Sequence, residues 1–198
     1  MAQLYVSGPA LCFVGPMNAP IASCTFLGTT AGDVDIETRP VYENVPNSLG
    51  GTVPFDRALQ GEEAIFTLDL TRWNQGLVNS ISDWANAGTA LGGGVVAVPG
   101  FMLPGEIGTL VMTEGQAICV AVVSPYSAKA VYATMDPGYR FPVCSCEGVT
   151  RGKMGTKELH ARLSIHAQRF FDIGPTNAFG AGAFTCYDKK VTPIPAIN

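Results

Sequence analysis

The sequence predicts a mainly β fold: a β-sandwich or barrel with one flanking α-helix over about residues 74–87 and long Gly/Pro loops. Three observations carry that expectation. Within residues 63–71, Ala64, Phe66, Leu68 and Leu70 fall on one side, and Ile65, Thr67, Asp69 and Thr71 on the other. That is the period-2 pattern of a strand with one face on a core. Residues 159–168 repeat it, with Leu159, Ala161, Leu163, Ile165 and Ala167 opposite His160, Arg162, Ser164, His166 and Gln168. A helical reading scatters this apolar set. Finally, 23 glycines and 14 prolines in 198 residues cut the other apolar runs into short pieces.

Taken in order, residues 4–6, 11–14 and 21–27 are apolar and are separated by Gly8-Pro9, Gly15-Pro16 and Pro20. Such punctuation excludes helix and favours short strands or an extended N-terminal arm over 1–28. Residues 33–38 alternate, Val34, Ile36 and Thr38 against Asp33, Asp35 and Glu37. A loop through Pro40, Pro46 and Asn47 leads to residues 49–74. These hold a Gly50-Gly51 turn, a Pro54-Phe55-Asp56-Arg57 corner, a Gly61-Glu62-Glu63 turn and the strand 63–71. The period then changes. Leu77, Val78, Ile81, Trp84 and Ala85 share one helical face, with Asn74 as N-cap and Gly88 as stop.

After the helix, Gly92, Gly93 and Gly94 form a hinge before the apolar residues 95–98, and residues 99–108 form a Pro/Gly loop carrying Phe101, Met102 and Leu103. Residues 110–112 and 117–123 read as strands. The second is apolar on both faces and therefore central, and residues 128–134 can pair with it as a hairpin. Residues 135–157 read as loop-rich, with a short strand at 141–146. Beyond the strand at 159–167 come a loop at 174–182, a last strand at 183–187 and a C-terminal tail at 191–198. No internal repeat is present, and the whole of 1–198 reads as one β domain.

Charged residues make up only 14% of the chain, against roughly 25% for an average soluble domain. Sparse charge suggests that much of the surface is covered by other subunits, a reading preferred over a compact β protein with a Ser/Thr/Asn surface. The net charge of −4, with no Lys/Arg cluster, argues against a surface that grips nucleic acid. It suits a wall past which a polyanion slides. No apolar run is long enough to span a bilayer, and the start lacks the pattern of a secretory signal. Cys12, Cys24, Cys119, Cys144, Cys146 and Cys186 are accordingly expected to be buried free thiols.

Several groupings of residues have the composition of a site. Cys144 and Cys146 share one strand face and His160 and His166 another, which allows a zinc site, although C-x-C is not the common spacing. Buried thiols and polar-face histidines are the preferred reading. No nucleophile elbow and no phosphate-binding loop is present, so no catalytic, cofactor or metal residue is assigned. Asp33, Asp35 and Glu37 read as a solvated strand face rather than a calcium site. Asp56, Arg57, Glu62, Glu63 and Arg72 concentrate scarce charge and are candidates for fixed ion pairs within the fold or between subunits. Asp56, Arg57, Glu62 and Arg72, with Phe101, Met102 and Leu103, are the candidate subunit contacts.

The order of features from Gly32 to Trp73 resembles that of phage tail tube and related virion structural proteins. It comprises the acidic alternation from Asp33 to Glu37, then Gly50-Gly-Thr-Val-Pro-Phe-Asp56, then Gly61-Glu62 leading into Ala64-Ile-Phe-Thr-Leu-Asp-Leu70. The resemblance covers about a quarter of the chain. It implies a non-enzymatic protein that forms rings, commonly hexameric, stacked into a tube around a DNA channel, with loop 99–108 and the N-terminal arm between rings. The implied partners are copies of itself and other virion proteins, with DNA passing unbound. The implied location is the virion, after assembly in the host cytoplasm. Six cysteines and a long C-terminal half depart from the pattern, so a capsid decoration or tail connector protein stands as an alternative. A β-barrel metal- or ligand-binding module using Cys144, Cys146, His160 and His166 is a second.

Overall fold

A computed structural model describes residues 3–6, 8–45, 56–82, 118–124, 138–151, 160–169 and 186–187. Strands make up 72% of these, and six of them close into a barrel, so the mainly β expectation holds in its barrel form. The elements are β1 (Gln3–Val6), β2 (Leu11–Pro16), a 3-10 turn (Ile21–Ser23), β3 (Thr25–Thr30), β4 (Val34–Val45), β5 (Asp56–Trp73), α1 (Gln75–Ser82), β6 (Ile118–Val123), β7 (Gly138–Arg151) and β8 (Ala161–Ala167).

Closure depends on β5. Its 18 residues are long enough to meet three neighbours. On one side β5 pairs with β4 from Val45↔Asp56 to Ile36↔Phe66, and then with β3 from Thr30↔Leu70 to Gly28↔Trp73. On the other it pairs with β8, from Leu70↔Ala161 to Ala64↔Ala167. The remaining ladders, β3–β2, β2–β6, β6–β7 and β7–β8, complete the circuit, and every pairing is antiparallel. β1 adds to β4 outside the barrel. Closing a sheet on itself removes the open edges that invite wrong pairing.

The alternation read from the sequence determines what fills the barrel. Phe66, Leu68 and Leu70 of β5 and Leu163 and Ile165 of β8 point inward to meet Leu27, Ile36, Val120 and Phe141. Phe66 and Phe141 bring their ring centroids to 4.7 Å. A barrel this narrow has no room for a channel and is packed solid by side chains. β6 is buried on both faces, as its composition predicts. Its outer face, with Leu11 and Phe13 of β2, packs under Ala19, Ile21 and Cys24 of the segment that joins β2 to β3.

The helix starts where expected. Asn74 Oδ1 accepts the Leu77 amide at 3.3 Å, and the Asn74 amide donates to the Leu27 carbonyl at 2.8 Å. Leu77, Val78 and Ile81 bury their side chains in the barrel core. Trp84, Ala85 and Gly88 lie outside the described residues, as do 95–98, loop 99–108, 110–112, 128–134, 174–182 and the tail.

Three local expectations are corrected. Pro40 does not begin a loop, because β4 runs through it to Val45; proline is tolerated where a strand lies at a sheet edge. Gly61-Glu62-Glu63 is not a turn but part of β5, which takes a one-residue bulge there: Val41 pairs with Gly61 and Tyr42 with Leu59, leaving Gln60 over. The region around Phe141 is a 14-residue strand, not a short one in a loop-rich segment. Of the two readings for the N-terminal segment, strands prevail, with β2 and β3 in the barrel wall rather than in a detached arm.

Candidate functional site

β4 and β5 outrun the barrel. The β5–β8 ladder ends at Ala64↔Ala167, and β1 covers β4 only from Val34 to Glu37. Beyond those points, residues 39–45 and 56–63 form a two-stranded ribbon with no further ladder partner among the described residues. A two-stranded ribbon alone in water is marginal, and unpaired strand edges are templates for another chain.

The bulge decides which side chains the ribbon presents. β4 alternates without interruption, so Tyr42 continues the side on which Val34, Ile36 and Thr38 enter the core. On β5 the extra residue reverses the parity, so Leu59, opposite Tyr42, joins that same side although Ala64, Phe66 and Leu68 are even-numbered. The pair therefore extends the core face past the end of the core. Tyr42 is 53% exposed and Leu59 50%, and Val41 is exposed on the opposite side. Sequence reasoning missed this patch, because Pro40 and Gly61 read as breakers on either flank of it.

Of the predicted contact residues, Asp56 and Arg57 lie at the far end of the ribbon, both exposed, with the Arg57 amide donating to Asp56 Oδ1 at 2.7 Å. Glu62 is half-buried at the ribbon root, and Arg72 is exposed at the other end of β5, opposite Thr29. These contact candidates are therefore spread along β5, Arg57 and Arg72 being roughly 50 Å apart along the strand at ~3.3 Å per residue. Phe101, Met102 and Leu103 fall outside the described residues.

Glu63, the fifth candidate for a fixed ion pair, does form one within the fold, on the outer face of the sheet where the other ion pairs also lie. Arg39 holds Glu37 through two bonds, at 3.0 and 3.1 Å, which keeps the Glu37 carboxyl below its ordinary range. Glu63 Oε2 is 3.1 Å from His166 Nε2, and Glu147 Oε1 is 3.0 Å from His166 Nδ1. Asp69 takes His160 Nδ1 at 3.0 Å and Arg162 at 3.5 Å. Asp33, just before β4, also has partners within the protein. The Tyr5 hydroxyl donates to Asp33, and the Gly8 amide donates to it at 2.6 Å. Both bonds favour the ionised Asp33 and lower its pKa, while the Tyr5 hydroxyl, beside that carboxylate, is held above its usual range.

The zinc arrangement is overturned. Cys144 and Cys146 point into the core, as partners of the inward Ala167 and Ile165, whereas His166 lies opposite Ser145 on the outside. One sheet separates the thiols from the imidazoles, and no group of three or more metal-binding side chains occurs among the described residues. All six cysteines are free and buried. Burial alone pushes the Cys12 thiol up to about 12. Cys24 is the exception: a hydrogen bond from Cys119 and the nearby Arg140 lower it.

No family model matches the chain, and no curated protein or solved structure matches it either. Among the described residues no helix is long and apolar enough to cross a membrane.

Proposed function

We propose that the chain is a non-enzymatic, self-assembling virion structural protein, and that it forms the stacked rings of a phage tail tube. The observation that carries this reading is the ribbon, a paired extension of β4 and β5 that leaves Tyr42 and Leu59 in water on the side that would continue a core. Such a surface is satisfied by insertion against a neighbour, where side chains bury and open edges pair. The low charge content supports it, and so does the resemblance from Gly32 to Trp73.

The mechanism is geometric. The barrel is filled, so any channel must lie between copies, inside a ring. Ribbons clasp adjacent subunits, and a wall of neutral-to-acidic character lets DNA pass without sticking. Electron microscopy of the purified protein tests the proposal. Closed rings or tubes are the expected image. Trimers, or single copies on a lattice, would instead favour capsid decoration, and particles that stay monomeric at high concentration would remove the assembly reading.

A further inference from the structure

A chain of alternating charge crosses four neighbouring strands at the root of the ribbon. Glu37 pairs with Arg39 on β4, and Arg39 stands opposite Glu63 of β5. Glu63 meets one nitrogen of His166 on β8, and Glu147 of β7 meets the other. The position is specific. Glu63 is the first β5 residue past the last rung of the β5–β8 seam, Ala64↔Ala167, so its bond to His166 fastens the ribbon where it leaves the barrel.

Carboxylate ions only accept hydrogen bonds, and a neutral imidazole has a single N–H to give. The neutral ring can therefore hold Glu63 or Glu147 but not both, whereas the imidazolium holds both. The ring is well enclosed, its side chain 19% exposed, which limits the water available to replace a lost partner.

We propose that His166 is a proton-operated latch at the ribbon root. The doubly protonated ring ties β5 to β7 across β8, and loss of one proton releases a carboxylate and loosens the seam end. The charged and titratable groups around the ring are Glu63 from β5 and Glu147 from β7, with Arg39 of β4 behind Glu63. Directly opposite are Ile65 and Ser145, which do not titrate. Ser164 of β8 and Gln168 just past its end flank the ring, and Arg162 lies farther along β8; Arg169 packs its stem over Gly61. Closing the latch takes up a proton, so acid favours it. The consequence for assembly rests on the ribbon reading; the effect on the seam does not.

The test is amide hydrogen exchange on the full chain at about pH 5.5 and about pH 8, the span over which histidines change charge. Protection factors, corrected for intrinsic exchange, are read at Glu63, Ala64 and Ala167. Wild-type protection should fall by about fivefold from the acid to the alkaline condition, the scale of a partly exposed ion pair. His166→Gln should lose that dependence, and Glu147→Gln should lose it without any change to the ring. His166→Arg should stay protected at both values. Light scattering on the same samples keeps the two claims apart. Equal wild-type protection at both values, or a dependence that survives in Glu147→Gln, overturns the latch even if the protein assembles. A seam that responds in protein that never assembles supports the latch and removes the ribbon reading.

Discussion

The Cδ of Arg169 lies 2.8 Å from the point where a Cβ on Gly61 would sit. Gly61 also has φ +153°, a conformation that residues with a side chain rarely adopt. The bulge that turns Leu59 toward Tyr42 thus depends on a residue with no side chain. Gly61→Ala should destabilise the fold by about 1–3 kcal/mol, as measured by thermal unfolding. Adding Arg169→Ala should recover only part of that loss, because the flexible stem can move aside but the backbone strain remains.

Thr30 provides a second prediction. Its buried hydroxyl accepts the Ala10 amide at 2.8 Å and donates to the Gly32 carbonyl at 2.5 Å, joining β3 to the start of β2. Thr30→Val preserves shape but strands both partners, at a cost of about 1–3 kcal/mol in a denaturant titration. Thr30→Ser should cost less, since the hydroxyl is kept.

Asp33 should make the region around β1 sensitive to acid. Its carboxyl is held below its ordinary value first by the Tyr5 hydroxyl and then by the Gly8 amide. A depressed folded-state value contributes stability above the ordinary aspartate range, and that contribution is lost as pH falls through the depressed value. The stability difference between wild type and Asp33→Asn should therefore be constant in neutral and mildly acidic solution and shrink in strong acid. Chemical denaturation across that range measures it, and Tyr5→Phe should shift the same limb.

The thiols that burial pushes up should be inert in the native state. Cys12, at about 12, stays protonated at neutral pH, and Cys144 is pushed up by the same loss of water. Mass spectrometry after brief alkylation should find Cys12, Cys144 and Cys146 unmodified in native protein and all six cysteines modified after denaturation. Rapid native labelling of Cys144 or Cys146 would contradict their inward placement.

What could be read in advance follows from the range of the interactions. Ala64, Phe66, Leu68 and Leu70, and Ala161 to Ala167, declare their inward side locally, because a core imposes a period of two on the strand that meets it. Asn74 and the apolar face after it declare the helix in the same way. The ribbon was not legible. Pro40 and Gly61 are breakers by local chemistry, and only the long-range pairing of β4 with β5 makes a strand edge and a bulge of them. The His166 clamp was not legible either, since Glu63 and Glu147 reach the ring only through the registers Ile65↔His166 and Ser145↔His166. The same registers, with β7's Cys144 and Cys146 facing inward, separate thiols from imidazoles that the sequence alone left free to meet.

If the ribbon joins copies of this chain, sedimentation of wild type beside a Tyr42→Ser, Leu59→Ser double variant will separate the two. Both side chains are half-exposed, so the variant should keep the wild-type circular dichroism spectrum. Wild type should sediment as ring-sized or larger species and the variant as a folded monomer at the same concentration. Wild type that sediments as a monomer throughout, or a variant that assembles equally well, would contradict it.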